Sequence, residues 1–91
     1  MLVAPVLAVK VTAWPTVGVV GFAVTFTANT GATSIPVSLY RWTFDDGTVQ
    51  ETSGNSTNRT FSSRGTKTVR VDVIGVNGQQ IGTATTQINV I

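Results

Sequence analysis

Asp45 and Asp46, followed directly by Gly47, are the densest acidic chemistry in this 91-residue chain, and Glu51 is the nearest further acid. Two carboxylates can divide general acid and base work or hold a hard cation. Neighbouring residues at a strand end point to opposite sides, however, so this pair would not converge on one substrate. Calcium takes about six to eight oxygen ligands, more than this neighbourhood offers. Histidine and cysteine are absent, which removes the commonest general base, the thiol nucleophile and most transition-metal ligands. Serine and threonine are plentiful, but no imidazole is present to activate one, and no G-x-x-x-x-G-K-[ST] run could cradle a phosphate. Asn55-Ser-Thr57 and Asn58-Arg-Thr60 fit the glycosylation pattern, as triplets in a threonine-rich chain do by chance. These residues predict a non-enzyme with no cofactor and no metal. Asp45-Asp46-Gly47 is read as a turn, with aspartate accepting from backbone N–H groups and glycine supplying a positive φ.

What would position such a turn is an all-β domain. Charged residues are 11% of the chain, against roughly 25% in ordinary soluble domains. Threonine, serine, asparagine, glycine and many β-branched valines fill their place, a composition that fits a pleated surface. Period-two alternation recurs, and no stretch repeats apolar residues at helical spacing. Leu7, Val9 and Val11 mark a first strand that Trp14-Pro15 stops. Val17 to Gly21 reads as a glycine-punctuated connection. Phe22, Val24, Phe26 and Ala28 share one face of a second strand, and Tyr40, Trp42 and Phe44 one face of a third, over Val37–Phe44. A short polar strand near Thr48–Thr52 follows, then a short polar stretch over Thr57–Phe61. Val69, Val71 and Val73 mark a strong strand, Asn77-Gly78 a two-residue hairpin turn, and Gly82–Val90 the last strand. About seven strands with regular turns predict a two-sheet antiparallel sandwich. Trp42, Phe26, Val24, Val69, Val71 and Ile88 are the expected core, in a single domain over 1–91.

At Tyr40-Arg-Trp-Thr-Phe-Asp-Asp-Gly47 the chain resembles the PKD family of immunoglobulin-like domains, whose third strand carries a Tyr-x-Trp-Asp-Phe-Gly-Asp-Gly run. Thr60-Phe61 and the turn to Gly65, leading into the Thr/Val-rich stretch ending at Val73, resemble its second block. Thr43, Asp45, Phe61, Arg64 and Lys67 depart from the pattern. Trp42, Phe44, Asp46, Gly47 and Gly65, which have packing and turn roles, keep it. The resemblance implies an immunoglobulin-like sandwich over nearly the whole chain.

The net charge of +2 is a surplus of two cations, without the dense basic stripe of a nucleic-acid binder; no nucleic-acid partner is expected. The apolar opening, Met1 to Val9, is too short for a membrane span and lacks the basic start of a secretion signal. No membrane partner is expected either. Residues 1–6 are read as an apolar arm, with Pro5 blocking continuous ladder pairing. Leu2, Val3, Pro5 and Val6 of this arm, together with Trp14, are the candidate partner-binding residues. Trp14 is read either as a lid on the core or as an exposed hot spot.

The functional expectation is a non-catalytic, protein-binding structural module. Read as a whole gene product, it is expected on a virion surface as a capsid decoration (cement) protein of a tailed bacteriophage. Its partner there would be the capsid or a neighbouring subunit, with a homo-oligomer on the assembly as a further expectation. The alternative is a PKD accessory or spacer module of a secreted or cell-surface protease, polysaccharide-degrading enzyme or adhesin. Both rest on fold-level analogy.

Overall fold

Alternation of valine and phenylalanine with threonine gives strands that bury one face and leave the other to water. A computed structural model describes residues 9–31 and 35–91. Its strands, in chain order, are β1 (Lys10–Trp14), β2 (Val17–Gly18), β3 (Ala23–Asn29), β4 (Val37–Thr43), β5 (Val49–Thr52), β6 (Ser56–Thr60), β7 (Gly65–Gly75) and β8 (Gln80–Val90). One sheet has the order β1-β3-β6, the other β2-β8-β7-β4-β5. All pairings are antiparallel except the two-residue β2, which runs parallel to the end of β8.

The inner faces meet in one core. All six residues expected there, Trp42, Phe26, Val24, Val69, Val71 and Ile88, are buried. Burying each such side chain contributes roughly 1.5–3 kcal/mol. The Phe26 ring stands edge-on to Phe44 and Phe61, with centroids 6.4 and 6.3 Å away. Trp42 buries its ring without orphaning its polar atom. Its Nε1–H donates to Thr52 Oγ1 at 3.0 Å, and that hydroxyl donates to the Gly54 carbonyl at 2.7 Å. Thr57 also turns inward on β6, opposite Phe26, and its buried hydroxyl has no partner.

The turn at Asp45-Asp46-Gly47 forms as expected. Phe44 N–H donates to the Thr48 carbonyl, Gly47 N–H to the Phe44 carbonyl, and Thr48 N–H to Asp46 Oδ1, each at 2.9 Å. Gly47 has φ +84°. Asn77-Gly78 is not the two-residue turn its sequence predicts. Gly75 N–H donates to the Gln79 carbonyl and Gly78 N–H to the Gly75 carbonyl, both at 2.9 Å, enclosing three residues. Gly78 has φ +81° and Asn77 Oδ1 accepts from Gln79 N–H at 3.1 Å. Both turns therefore share one build, an acceptor side chain followed by glycine at the third loop position.

Two other expectations are corrected. Phe22 does not share the inward face of Val24, Phe26 and Ala28; it is 70% exposed. Its N–H closes a turn onto the Val19 carbonyl at 3.0 Å, and Gly21 at φ +86° breaks the pleat just before it. The segment from Val17 contains β2 instead of being a mere connection. The short polar stretch over Thr57–Phe61, counted among the seven expected strands, forms as β6 and pairs with β3 along its length. Leu7 and the arm over 1–6 lie outside the described residues.

Candidate interaction surface

Nine of the ten charged residues lie between Arg41 and Asp72; Lys10 is the other. Because β1, β2 and β8 line one side of the sandwich and β3 adjoins β1, that flank carries no charge except Lys10. The charges gather on β4, β5, β6, β7 and their turns.

On the charged flank the carboxylates are taken up one by one. Asp46 Oδ2 accepts from Arg59 at 2.9 Å, joining the β4–β5 turn to the opposite sheet. The Arg59 guanidinium also lies 4.6 Å from the centre of the Phe44 ring, a cation–π placement. Lys67 lies 3.7 Å from Asp45 Oδ2 and donates to Ser63 Oγ at 2.7 Å. Arg41 pairs with Glu51 at 2.8 Å. Asp72, nearly covered, accepts from Arg70 Nε and Thr83 Oγ1, both at 2.9 Å. Asp45 and Asp46 thus turn to different cations on different strands. Hydrogen bonds from Thr48, helped by the Arg59 charge, hold the Asp46 carboxyl below its ordinary value. Among the described residues no three acidic side chains gather as a metal site. Asn55, in the first glycosylation-like triplet, spends its amide on the Ala28 carbonyl at 3.0 Å.

The other flank ends in exposed apolar side chains. Trp14 closes β1 on its outward face, opposite Thr25, and is 77% exposed, so it is no lid on the core. The chain then crosses to the other sheet at Pro15. Gly18 faces inward, where a Cβ would meet Val90 Cγ2 at 3.2 Å. That close approach seats β2 against β8 and turns Val17 and Val19 outward. Ile91 N–H donates to the Gly18 carbonyl at 2.8 Å, and Val20 N–H to the Ile91 carbonyl at 3.1 Å. Gly21 N–H donates to the Phe61 carbonyl at 3.1 Å, fixing the turn that lifts Phe22. Trp14, Val17, Val19, Phe22 and Ile91 are all exposed, and these pairings gather them at one end of the sandwich.

Of the five residues expected to bind a partner, Trp14 is at this end, while Leu2, Val3, Pro5 and Val6 lie outside the described residues. Val17, Val19, Phe22 and Ile91 were not singled out by sequence reasoning. A positional signal for them existed: no charge occurs from Val11 to Tyr40 or from Val73 to Ile91. Lys10 pairs with Asn29 at the far end of β3 from Ala23, whereas Ile91 sits beside Gly18. The chain enters β1 and leaves β8 at opposite ends.

Two packed sheets, a tryptophan buried between them and no helix among the described residues define an immunoglobulin-like sandwich module. Fibronectin(III)-like modules of Clostridium thermocellum CbhA share this fold, with a TM-score of 0.72 over 91% of this chain and 96% of that one, at 17% identity. Within that class the chain belongs to the PKD domain family, whose model matches residues 3–90. No curated protein matches it.

Proposed function

We propose that this PKD module is non-catalytic and works by docking on a protein surface. The observation that carries the proposal is the flank whose one charge is Lys10, ending in exposed Trp14 and Phe22. Apolar patches of this kind, rimmed by polar residues, mark protein-binding sites, and tryptophan is among the residue types enriched in hot spots. The finer reading is a decoration protein on the capsid of a tailed bacteriophage, located on the virion surface. The small, charge-poor domain suits it, and immunoglobulin-like domains on such particles supply the analogy.

One observation favours the alternative, a spacer in a secreted or surface protein. Segments joined before β1 and after β8 would be strung in line, because Lys10 and Ile91 lie at opposite ends. Sequencing the surrounding gene separates the two readings. Flanking capsid and tail genes are expected for the first; a hydrolase or adhesin in the same reading frame would select the second.

A further inference from the structure

Of the five asparagines, Asn29, Asn55, Asn58, Asn77 and Asn89, only Asn77 is followed by glycine. Asparagine is thermolabile because the next backbone nitrogen can attack the carbon of its side-chain amide. A side chain on that next residue crowds the approach, and glycine has no Cβ. Residues 76–80 are all exposed, so water reaches the turn.

We propose that Asn77 is a site of self-modification, deamidating when the turn between β7 and β8 opens. The Gly78 nitrogen bonds to Asn77 Cγ and the Cγ–Nδ2 bond breaks. The proton given up by the backbone nitrogen leaves with the amide as ammonia. Water then opens the resulting cyclic imide at either carbonyl. One opening leaves an ordinary aspartyl residue, and the other leaves an isoaspartyl residue whose main chain runs through Cγ. Nothing is oxidised or reduced, and water is the only co-reactant.

The closed turn restrains both reacting groups. Gly78 N–H is spent on the Gly75 carbonyl at 2.9 Å, and Asn77 Oδ1 accepts from Gln79 N–H at 3.1 Å. A Cβ at Gly75 would meet that same oxygen at 2.9 Å, so the side-chain amide lies close over Gly75. Two hydrogen bonds of ordinary net strength hold the attack back on the order of tenfold.

The other turn of this build shows which product the fold accepts. Asp46 Oδ1 accepts from Thr48 N–H, and Gly47 N–H donates to the Phe44 carbonyl, the same two contacts one finds around Asn77. An aspartyl product therefore closes the β7–β8 turn as asparagine does. The isoaspartyl product adds a carbon to the main chain of a tight loop between two strands of 11 residues each, and it loses this closure. Either product lowers the net charge of +2 by one.

The inference is independent of the docking reading. For its test the full chain is held in mildly alkaline buffer, both folded and in urea. Mass spectrometry of the peptide containing Asn77 follows amide loss, and an isoaspartate-specific methyl transfer follows the second product. Conversion is expected at Asn77 ahead of the other four asparagines, and faster in urea than in the folded chain by about tenfold. Gly78→Ala, compared in urea where turn strain plays no part, should slow it several-fold. Asn77→Asp should melt with the wild type, and the purified isoaspartyl form should melt lower. An Asn77 that stays intact in urea, or converts no faster than the other asparagines or than the Gly78→Ala variant, overturns the site. Equal rates in folded and unfolded chain overturn the gating by the turn. An Asn77→Asp variant that melts well below the wild type overturns the assignment of the tolerated product.

Discussion

The two flanks of the sandwich handle their surfaces in opposite ways. On β4, β5, β6 and β7, each of the four carboxylates has a cation within 4 Å, and the outer face is closed on itself by polar contacts. On β1, β2, β3 and β8 there is one charge, and large apolar side chains stand in water. The two tryptophans express the same division. Trp42 is fully buried with its N–H satisfied, while Trp14 is 77% exposed. The same residue type serves stability in one place and is left available for contact in the other. A surface ion pair adds only about 0–1 kcal/mol. The charged flank is thus better understood as a solubilising, non-adhesive face than as a source of stability.

The sharpest way to break this comparison is to truncate both tryptophans. Trp42→Ala should cost about 3–5 kcal/mol, much of a small domain's stability, whereas Trp14→Ala should change it by less than about 0.5 kcal/mol. Urea denaturation of both variants checks this, and similar losses would erase the distinction. Next in size, Gly47→Ala places a side chain at φ +84° and should cost about 1–2 kcal/mol, although space around it is open. Gly65→Ala, at φ +120°, should destabilise likewise; a raised melting temperature in both would refute the turn roles.

Thr57→Val should act in the other direction. It removes a buried hydroxyl that has no partner and should gain about 1 kcal/mol, read as a higher denaturation midpoint at unchanged slope. The smallest effect concerns acid. The Asp46 carboxyl is held below the ordinary 3.8 by Thr48 and Arg59, so ionised Asp46 favours the fold above that value. The advantage should fade as pH falls through its lowered value, when the carboxylate is protonated. Melting curves of wild type and Asp46→Asn should therefore differ at neutral pH and converge in strong acid. A constant gap would place the effect elsewhere.

Much of the fold is legible in the sequence because period-two alternation survives wherever one face is buried. Val24, Phe26 and Ala28, then Trp42 and Phe44, then Val69, Val71 and Val73 declare their faces directly. The same rule fails where the pleat ends. Phe22 continues the alternation in sequence, but the Val19–Phe22 turn takes it out of the strand. A two-residue strand such as β2 has no period to read, and its pairing with β8 is a tertiary fact. The Asp46–Arg59 link between sheets is equally invisible, since nothing local joins a turn to a residue on β6. For the proposed interaction surface, the exposure of Trp14 was suggested by its place before a proline at a strand end. Its neighbours were hidden because exposure at Val17, Val19 and Ile91 depends on how Gly18 lets β2 sit against β8.

The pairing of β2 with β8 also bears on how the molecule folds. Val17 and Gly18 find their partners Asn89 and Val90 across most of the described chain, whereas β1, β3 and β6 all fall between Lys10 and Thr60. Contacts between such distant parts of a chain form slowly, so the smaller sheet can assemble before β2 docks on β8. Until it docks, the end of β8 presents unpaired backbone groups, a template on which a strand of another chain can pair. Late closure of this one short pairing therefore marks the place where misassembly has its opening.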